Sequence, residues 1–415
     1  MSRSVIIIGG GIIGLSTAYY LQKEGCQVTV IDKSDFSEGA SYVNAGYITP
    51  SHFIPLAAPG MITKGLKWMF NESSPFYVKP RLDLEFLKWA LAFKRSATKK
   101  KVEKAIPVIK DINLLGRDLY EAMRDSGDFS FHYERKGLLM CYKSDAVGEE
   151  EWEIGKRGIE EGLEVKHLSP EDVKAIEPRT GLNIKGAVHF MSDAHMTPNH
   201  FMPEMVAYLR SKGVVLLEKE AVTDVEVSEG KIGKVITDKQ ELMSDEVVLA
   251  AGSWSPHISK KLGVKIPLQA GKGYRINVSR ETHITIPAIL CEAKVAVTPM
   301  DGFTRFAGTM EIAGINHNIN TKRVDAIANA AKRYYDGLEI TNDEKAAAAC
   351  GLRPCTPDGL PYIGRSSKCK NLTIATGHAM MGWSLGPATG KLVSELIVDT
   401  KTSLNLEPFS PDRGF

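Results

Sequence analysis

A short apolar run that breaks into glycines and closes on an acid, VIIIGGGIIGLSTAYYLQKEGCQVTVID over residues 5–32, constrains this chain more than any other stretch. Glycine loses more conformational freedom on folding than any other residue. Gly9, Gly10, Gly11 and Gly14 inside so apolar a segment are therefore needed for backbone shape or close approach. Residues 5–8 read as a strand buried on both faces of a parallel sheet. Residues 13–24 turn helical, with Ala18 and Leu21 on one face, and Gly25 stops the helix. Residues 27–31 form a second strand that ends in Asp32. The spacing is GxGxxG inside a β-α-β unit. Gly9 permits the tight turn, Gly11 lets a pyrophosphate touch the backbone, and Gly14 lets helix and strand pack closely. Amides opening the helix, at Ile12 and Ile13, would hold the phosphates, and Asp32, followed by Lys33, would accept ribose hydroxyls. The pattern predicts a dinucleotide and leaves NAD and FAD open.

The glycines also argue against a secretory leader, whose core is uniformly apolar and ends at a small-residue cleavage site. No uninterrupted run of about twenty apolar residues reads as a membrane span. With 415 residues the chain suggests two domains of ordinary size or two interleaved ones. Its 52 basic and 50 acidic residues, a net charge of +2, argue against nucleic acid as a partner. The six cysteines show no CxxC or Cys/His spacing, so a reduced, cytoplasmic chain without a metal centre is expected.

Four further segments carry a resemblance: SEGASYVNAGYITPSH (37–52), DEVVLAAGSWSP (245–256), GLRPCTPDGLPYIG (351–364) and NLTIATGHAMMGWSLGPATGKLVSELI (371–397). In this order they resemble the D-amino acid oxidase superfamily of FAD-dependent oxidoreductases, and VNAG, TPDGLP and GHAMMGWSLGPATG are most similar to its D-amino acid dehydrogenase subfamily. The resemblance implies an α/β fold, α+β overall. A Rossmann-type FAD-binding domain (1–60, 190–265 and 346–415) would be interleaved with a substrate domain (61–189 and 266–345) containing an antiparallel sheet and helices. It implies noncovalent FAD close to Ser41, Asn44, Ala45 and Gly46, to Ala251 and Gly252, and to Gly377, Gly382, Trp383 and Gly386.

Read on its own, the last segment gives a buried strand at 372–375, a glycine-rich loop at 377–386 and a helix at 387–398 that opens on Pro387. The positive end of such a helix stabilises negative charge developing on a reduced flavin. The same pattern also suits an ordinary β-loop-α crossover.

Arg353 matches the arginine that pairs the substrate carboxylate in the superfamily, a role for which a guanidinium offers two parallel donors. Tyr274, in LQAGKGYRINV, is either a second carboxylate donor or an aromatic on a half-buried strand. Lone histidines are more often structural than catalytic, which is the reading for His195 and His378, and His52 is the first choice should one act.

The implied reaction passes hydride from Cα of an amino acid to flavin N5, and the imino acid is hydrolysed to a keto acid and ammonia. D-Proline or cis-4-hydroxy-D-proline would give a cyclic imine. Glycine or sarcosine oxidation and a tRNA-modifying flavoprotein are alternatives, and either a quinone or oxygen could be the electron acceptor. A peripheral membrane surface is a further expectation from MITKGLKWMF (61–70) and KRSATKKKVEK (94–104), with Trp68, Met69, Phe70 and Trp89, although core aromatics beside a solvated helix end read as well. Between 61 and 150 the pattern is mainly helical, 266–315 reads as alternating strands, and 321–350 returns to helix.

Overall fold

In the structure, a computed structural model that describes residues 2–59, 76–79 and 83–415, the opening apolar run becomes the strand Ser4–Ile8. It pairs in parallel with Gln27–Ile31 on one side and Glu246–Leu249 on the other. Val215–Leu217 and Leu372–Thr376 extend this parallel sheet, and Tyr362–Arg365 closes it antiparallel, in the order Val215–Leu217, Gln27–Ile31, Ser4–Ile8, Glu246–Leu249, Leu372–Thr376, Tyr362–Arg365. Both faces of the central strands are covered, which is why their residues are buried without alternation.

The first helix, Ile12–Lys23, is buried through most of its circumference rather than along one stripe. It is held between the sheet and the C-terminal helix Gly382–Ile397. A Cβ on Gly390 would stand 2.5 Å from the Ser16 backbone, and one on Gly386 would stand 2.7 Å from the Ile12 side chain. Gly386, expected at the cofactor, is thus a glycine because two helices cross there.

A second, nine-stranded mixed sheet is built around Gln269–Val278, Phe303–Ile312 and Val295–Met300, with Ala349–Cys355 along the edge of Gln269–Val278. One face packs Ile276 and Phe306 against Ile327, Ala331 and Tyr334 of the helix Thr321–Tyr334. The other face meets residues 40–46, where Gly351 leaves room for Val43 and Ala40. A small sheet of Tyr47–Ile48, Ala194–Met196 and Tyr133–Glu134 lies beside this contact, and the meander Val222–Ser228, Lys231–Thr237 and Glu241–Leu242 forms a fourth sheet.

Residues 61–70 lie outside the described residues, so only part of the expected membrane surface is visible. Trp89 is 5% exposed and donates its indole N–H to the Cys355 carbonyl at 2.9 Å, which makes it a core residue. Among the described residues, no helix is long and apolar enough to cross a membrane.

Candidate active site

Three loops leave the C-terminal ends of three neighbouring parallel strands, the place where open α/β sheets take their ligands. The first is the glycine turn. Gly9 has φ +113°, and a Cβ there would stand 2.5 Å from the Ala250 carbonyl oxygen. A Cβ on Gly14 would run into the Gly9 carbonyl. Gly11 differs, since its Cβ would meet only Ser41 Oγ at 3.4 Å, so backbone lies bare on that side.

Asp32 holds this turn from the end of the second strand. Its carboxylate accepts the Gly10 N–H at 2.6 Å and the Ser34 N–H and O–H at 2.8 and 2.7 Å. Oδ1 takes both Ser34 donors, and Oδ2, which accepts only from Gly10, keeps a lone pair for a further donor. Ser41 caps the first helix, its Oγ accepting the Ile12 N–H at 3.0 Å, so the Ile12 amide already has a partner. Lys33 lays its ammonium 3.4 Å above the Trp254 ring and so joins the acid-bearing strand end to the second loop.

That second loop passes Ala251 and Gly252. The Gly252 carbonyl accepts from Thr376 Oγ1 at 3.1 Å, which ties it to the third loop. There Gly377, at φ +82°, would press a Cβ 2.5 Å from Thr356 Cγ2. The helix that follows begins at Gly382, five residues before the start expected from Pro387. Proline within a helix forfeits one hydrogen bond, here the one that would reach the Trp383 carbonyl, and the Tyr120 hydroxyl donates to that carbonyl instead at 2.8 Å. The substitute partner lets the helix run through Pro387, which brings its positive end to Gly382. Trp383 is 2% exposed and packs its ring against Tyr120 and Phe201, so its role in this structure is core packing.

Arg353 stands on the strand Ala349–Cys355, opposite Gly271, on the sheet face that meets residues 40–46. Its Nη1 donates to the Thr309 carbonyl at 2.7 Å. No carboxylate among the described residues pairs with it, although burial pushes its pKa down. The guanidinium lies across Gly273, where any Cβ would collide with it. Thr309, in a bulge of the neighbouring strand, is a β-branched residue at φ +61° whose buried hydroxyl has no hydrogen-bond partner. A left-handed conformation at such a residue costs about 1–3 kcal/mol and tends to mark functional positions.

Tyr274 does not join Arg353. Strand side chains alternate, and Tyr274 opposes Cys350, an odd number of positions from Arg353, so it points to the other face. There it is 1% exposed and donates to Glu311 Oε2 at 2.7 Å. Lys272 and Arg323 lie 3.6 and 3.3 Å from the same carboxylate. The tyrosine belongs to a buried ion cluster behind the sheet.

Residues 42–46 are pinned by a side chain the sequence reading missed. Arg305, wholly buried, donates to the carbonyls of Tyr42 and Asn44, to Asn277 Oδ1 and to Asn199 Oδ1. Thr298 donates to the Ala45 carbonyl at 2.7 Å, and Asn44 Oδ1 accepts the Gly46 N–H at 2.8 Å. In FTRFAG alternation sets Arg305 on the face opposite Phe306, and nothing in the pattern says that this face is also buried or what the arginine would meet.

His52 touches Ser51 Oγ through Nδ1 at 3.1 Å, and burial, with Lys294 adding repulsion, pushes it down to about 4. It is neutral at ordinary pH and a weak base. His378 bonds Thr389 Oγ1 at 2.9 Å and burial pushes it down to about 3, a structural histidine. Asp193 was not anticipated. It accepts from Ser51 N–H and O–H, and burial pushes it up to about 7. His195 lies in the small sheet, across from Glu134.

Residues 4–396 match the family described as DAO, FAD dependent oxidoreductase. A D-amino acid dehydrogenase of Helicobacter pylori is 32% identical over 98% of both chains. Among solved structures, glycine oxidase from Geobacillus kaustophilus superposes with a TM-score of 0.79 at 20% identity over 100% of both chains. L-Proline dehydrogenase from P. horikoshii gives 0.73 at 22% identity, covering 99% of this chain and 97% of that one.

Proposed function

We propose that this chain, which belongs to the DAO family of FAD-dependent oxidoreductases, oxidises D-amino acids at Cα to imino acids that water hydrolyses to keto acids and ammonia. The observation that carries the proposal is Arg353, a half-buried guanidinium with one carbonyl partner and no described carboxylate. A half-buried cation without a counterion is incompletely compensated, and a substrate carboxylate would supply the missing charge in bidentate form.

The residues present suit FAD. Gly11 and Gly382 leave bare backbone where the first and C-terminal helices open, since their Cβ atoms would meet nothing nearer than 3.4 Å. We assign the phosphates to Gly9, Gly11, Ile13 and Gly14, the ribose to Asp32 with Lys33 beside it, and the flavin to Asn44, Ala45, Gly46, Gly377 and Gly382, held noncovalently. Ala251 and Gly252 complete this cofactor region, built from residues 1–60, 190–265 and 346–415. Bound FAD supplies a two-electron acceptor for the hydride at Cα.

The chain's own part is placement. Arg353 fixes the carboxylate, and Thr309, whose carbonyl Arg353 holds, carries an unbonded hydroxyl that would offer a second donor. Arg305 and Thr298 hold residues 42–45 rigid against the sheet face that carries Arg353. No side chain needs to act as a strong base when the substrate amine arrives neutral, which agrees with the low proton affinity of His52. A quinone or oxygen takes the electrons. Peripheral contact with a membrane would use Leu84, Leu87 and Leu91, exposed along one side of the helix Leu84–Ser96.

The test is anaerobic bleaching of the visible flavin absorbance by a panel of D- and L-amino acids, prolines, glycine and sarcosine, in wild type and Arg353→Ala. Bleaching by D-amino acids that is lost in the variant supports the proposal. Bleaching by glycine or sarcosine alone would favour a glycine-type oxidase, and bleaching by L-amino acids would reverse the handedness.

A further inference from the structure

We propose that His132, Glu134 and His195 form a binding site for a divalent transition ion of the zinc class, separate from the oxidation site. The register of two short strands assembles it. Glu134 of Tyr133–Glu134 stands directly opposite His195 of Ala194–Met196. Continuing the ladder one residue beyond its paired ends puts His132 opposite Thr197, and the Thr197 N–H reaches the His132 carbonyl. Strand alternation then places His132, Glu134, His195 and Thr197 on one face.

Distances agree with this placement. His195 Nε2 is 3.4 Å and His132 Nε2 is 3.9 Å from Glu134 Oε2. The three ligand atoms all lie within 4.8 Å of one another. Zinc bonds of about 2.0–2.1 Å in a tetrahedron set ligand atoms about 3.3–3.4 Å apart, so a contraction of side chains completes the site without moving backbone.

The buried histidine is the independent sign. The His195 side chain is wholly buried; its Nδ1 has no partner, and its Nε2 faces only the Glu134 carboxylate, at 3.4 Å and outside hydrogen-bond geometry. A buried polar group left in that state is expensive, and native proteins seldom tolerate one without a ligand, water or functional reason. An ion accepted at Nε2 turns the cost into a bond.

The surroundings prepare the other two ligands. Thr197 Oγ1 lies 3.0 Å from His132 Nδ1 and itself accepts the Asp301 N–H at 2.9 Å. With Nδ1 engaged, His132 presents Nε2, which is the usual way an outer partner orients a metal-bound imidazole. Lys136 Nζ, 2.9 Å from Glu134 Oε2, neutralises the carboxylate when no ion is bound and is exposed enough to swing away. Two imidazoles and one carboxylate suit zinc, nickel or copper better than magnesium or calcium, and three protein ligands leave one position for water.

The site would staple Tyr133–Glu134 to Ala194–Met196. Because His195 also pairs with Tyr47, the staple reaches the strand that directly follows Asn44, Ala45 and Gly46. No local pattern announces this trio, since HxE and a histidine 61 positions later match no standard metal spacing.

The experiment titrates ZnCl2 into chelator-treated, flavin-loaded protein and reads bound zinc by equilibrium dialysis together with the melting temperature. One ion per chain, with a melting temperature that climbs with zinc concentration, is expected. The half-exposed positions are substituted, as His132→Gln and Glu134→Gln, with the flavin spectrum verifying the fold. Each variant should bind zinc about tenfold more weakly or worse and lose the thermal shift, while flavin bleaching by substrate persists. Absence of stoichiometric zinc in the wild type, or binding that survives both substitutions, overturns the proposal, as would magnesium acting equally well. Failure of the bleaching experiment leaves this result untouched, because zinc binding is read without turnover.

Discussion

The Arg353 guanidinium occupies the space over Gly273 that a Cβ on that glycine would take. One missing methyl group on a neighbouring strand therefore sets the position of the proposed carboxylate anchor. In Gly273→Ala the new methyl must push the guanidinium off its seat and away from the Thr309 carbonyl. A displacement of about 1 Å in a positioning group can cost about a hundredfold in rate. We expect kcat/KM to fall by about that factor while flavin content and melting temperature change little. An unchanged kcat/KM would show that Arg353 does not position the substrate.

Thr309 holds a strained backbone angle and a buried hydroxyl without a hydrogen-bond partner, two costs with no structural return in the protein alone. Thr309→Val keeps the branched shape and removes only the oxygen. If the hydroxyl meets substrate, KM rises by about tenfold, the worth of about 1.4 kcal/mol. Stability stays level or improves, because an unsatisfied buried group is gone. Steady-state kinetics and thermal melting of the same preparation decide it, and an unchanged KM removes Thr309 from the site.

The opening β-α-β unit was legible because each glycine answers a different local demand: the turn at Gly9, bare backbone at Gly11, the close crossing at Gly14. The position of Arg353 was legible through the motif around it. The sequence leaves Tyr274 open between two readings because alternation along Gln269–Val278 has to be combined with a pairing partner, Cys350, that lies 76 residues away and is invisible to local pattern. Gly386 was assigned to cofactor for the same kind of reason, since the crossing of the first and C-terminal helices joins segments from opposite ends of the chain. Arg305 and Asp193 escaped because a buried charge looks in sequence like any exposed one.

The C-terminal helix continues through Pro387 because the Tyr120 hydroxyl takes the Trp383 carbonyl that proline leaves unbonded. Tyr120→Phe keeps the ring packed against Trp383 and Phe201 and removes that donor. A buried carbonyl without a partner costs about 1–3 kcal/mol. Denaturant titration should register that loss, and flavin should dissociate earlier, since the affected turn opens at Gly382. A variant as stable as the wild type would mean that the carbonyl finds another partner.

Asp193 gives stability an unusual pH dependence. Burial raises its folded pKa to about 7 from the ordinary 3.8. Between those values the folded chain holds a proton that the unfolded chain has released, so this contribution is complete below about pH 4, declines as pH rises, and is gone above about 7. Asp193→Asn removes the titration while retaining an acceptor for Ser51. Relative to wild type, the variant should gain about 2–3 kcal/mol between pH 5 and pH 8. Paired denaturation curves at the two pH values measure it, and a constant difference would show that Asp193 stays ionised.

Gly386 and Gly390 both let the C-terminal helix approach the first, but they face different obstacles. A Cβ at 390 meets the Ser16 backbone at 2.5 Å and the Thr17 nitrogen at 2.8 Å, atoms that move only if the first helix moves. A Cβ at 386 meets the Ile12 side chain, whose nearest carbon at 2.7 Å can rotate away. Overpacking costs about 1–3 kcal/mol, with rigid neighbours at the upper end. Gly390→Ala should therefore destabilise more than Gly386→Ala, although alanine is the better helix former at both places. The first helix also opens at the glycine turn proposed to hold the phosphates, so the displacement forced by Gly390→Ala should weaken flavin retention as well. Melting temperatures and flavin released on dialysis rank the two variants, and the reverse order would mean that the helices separate more easily than Ile12 turns.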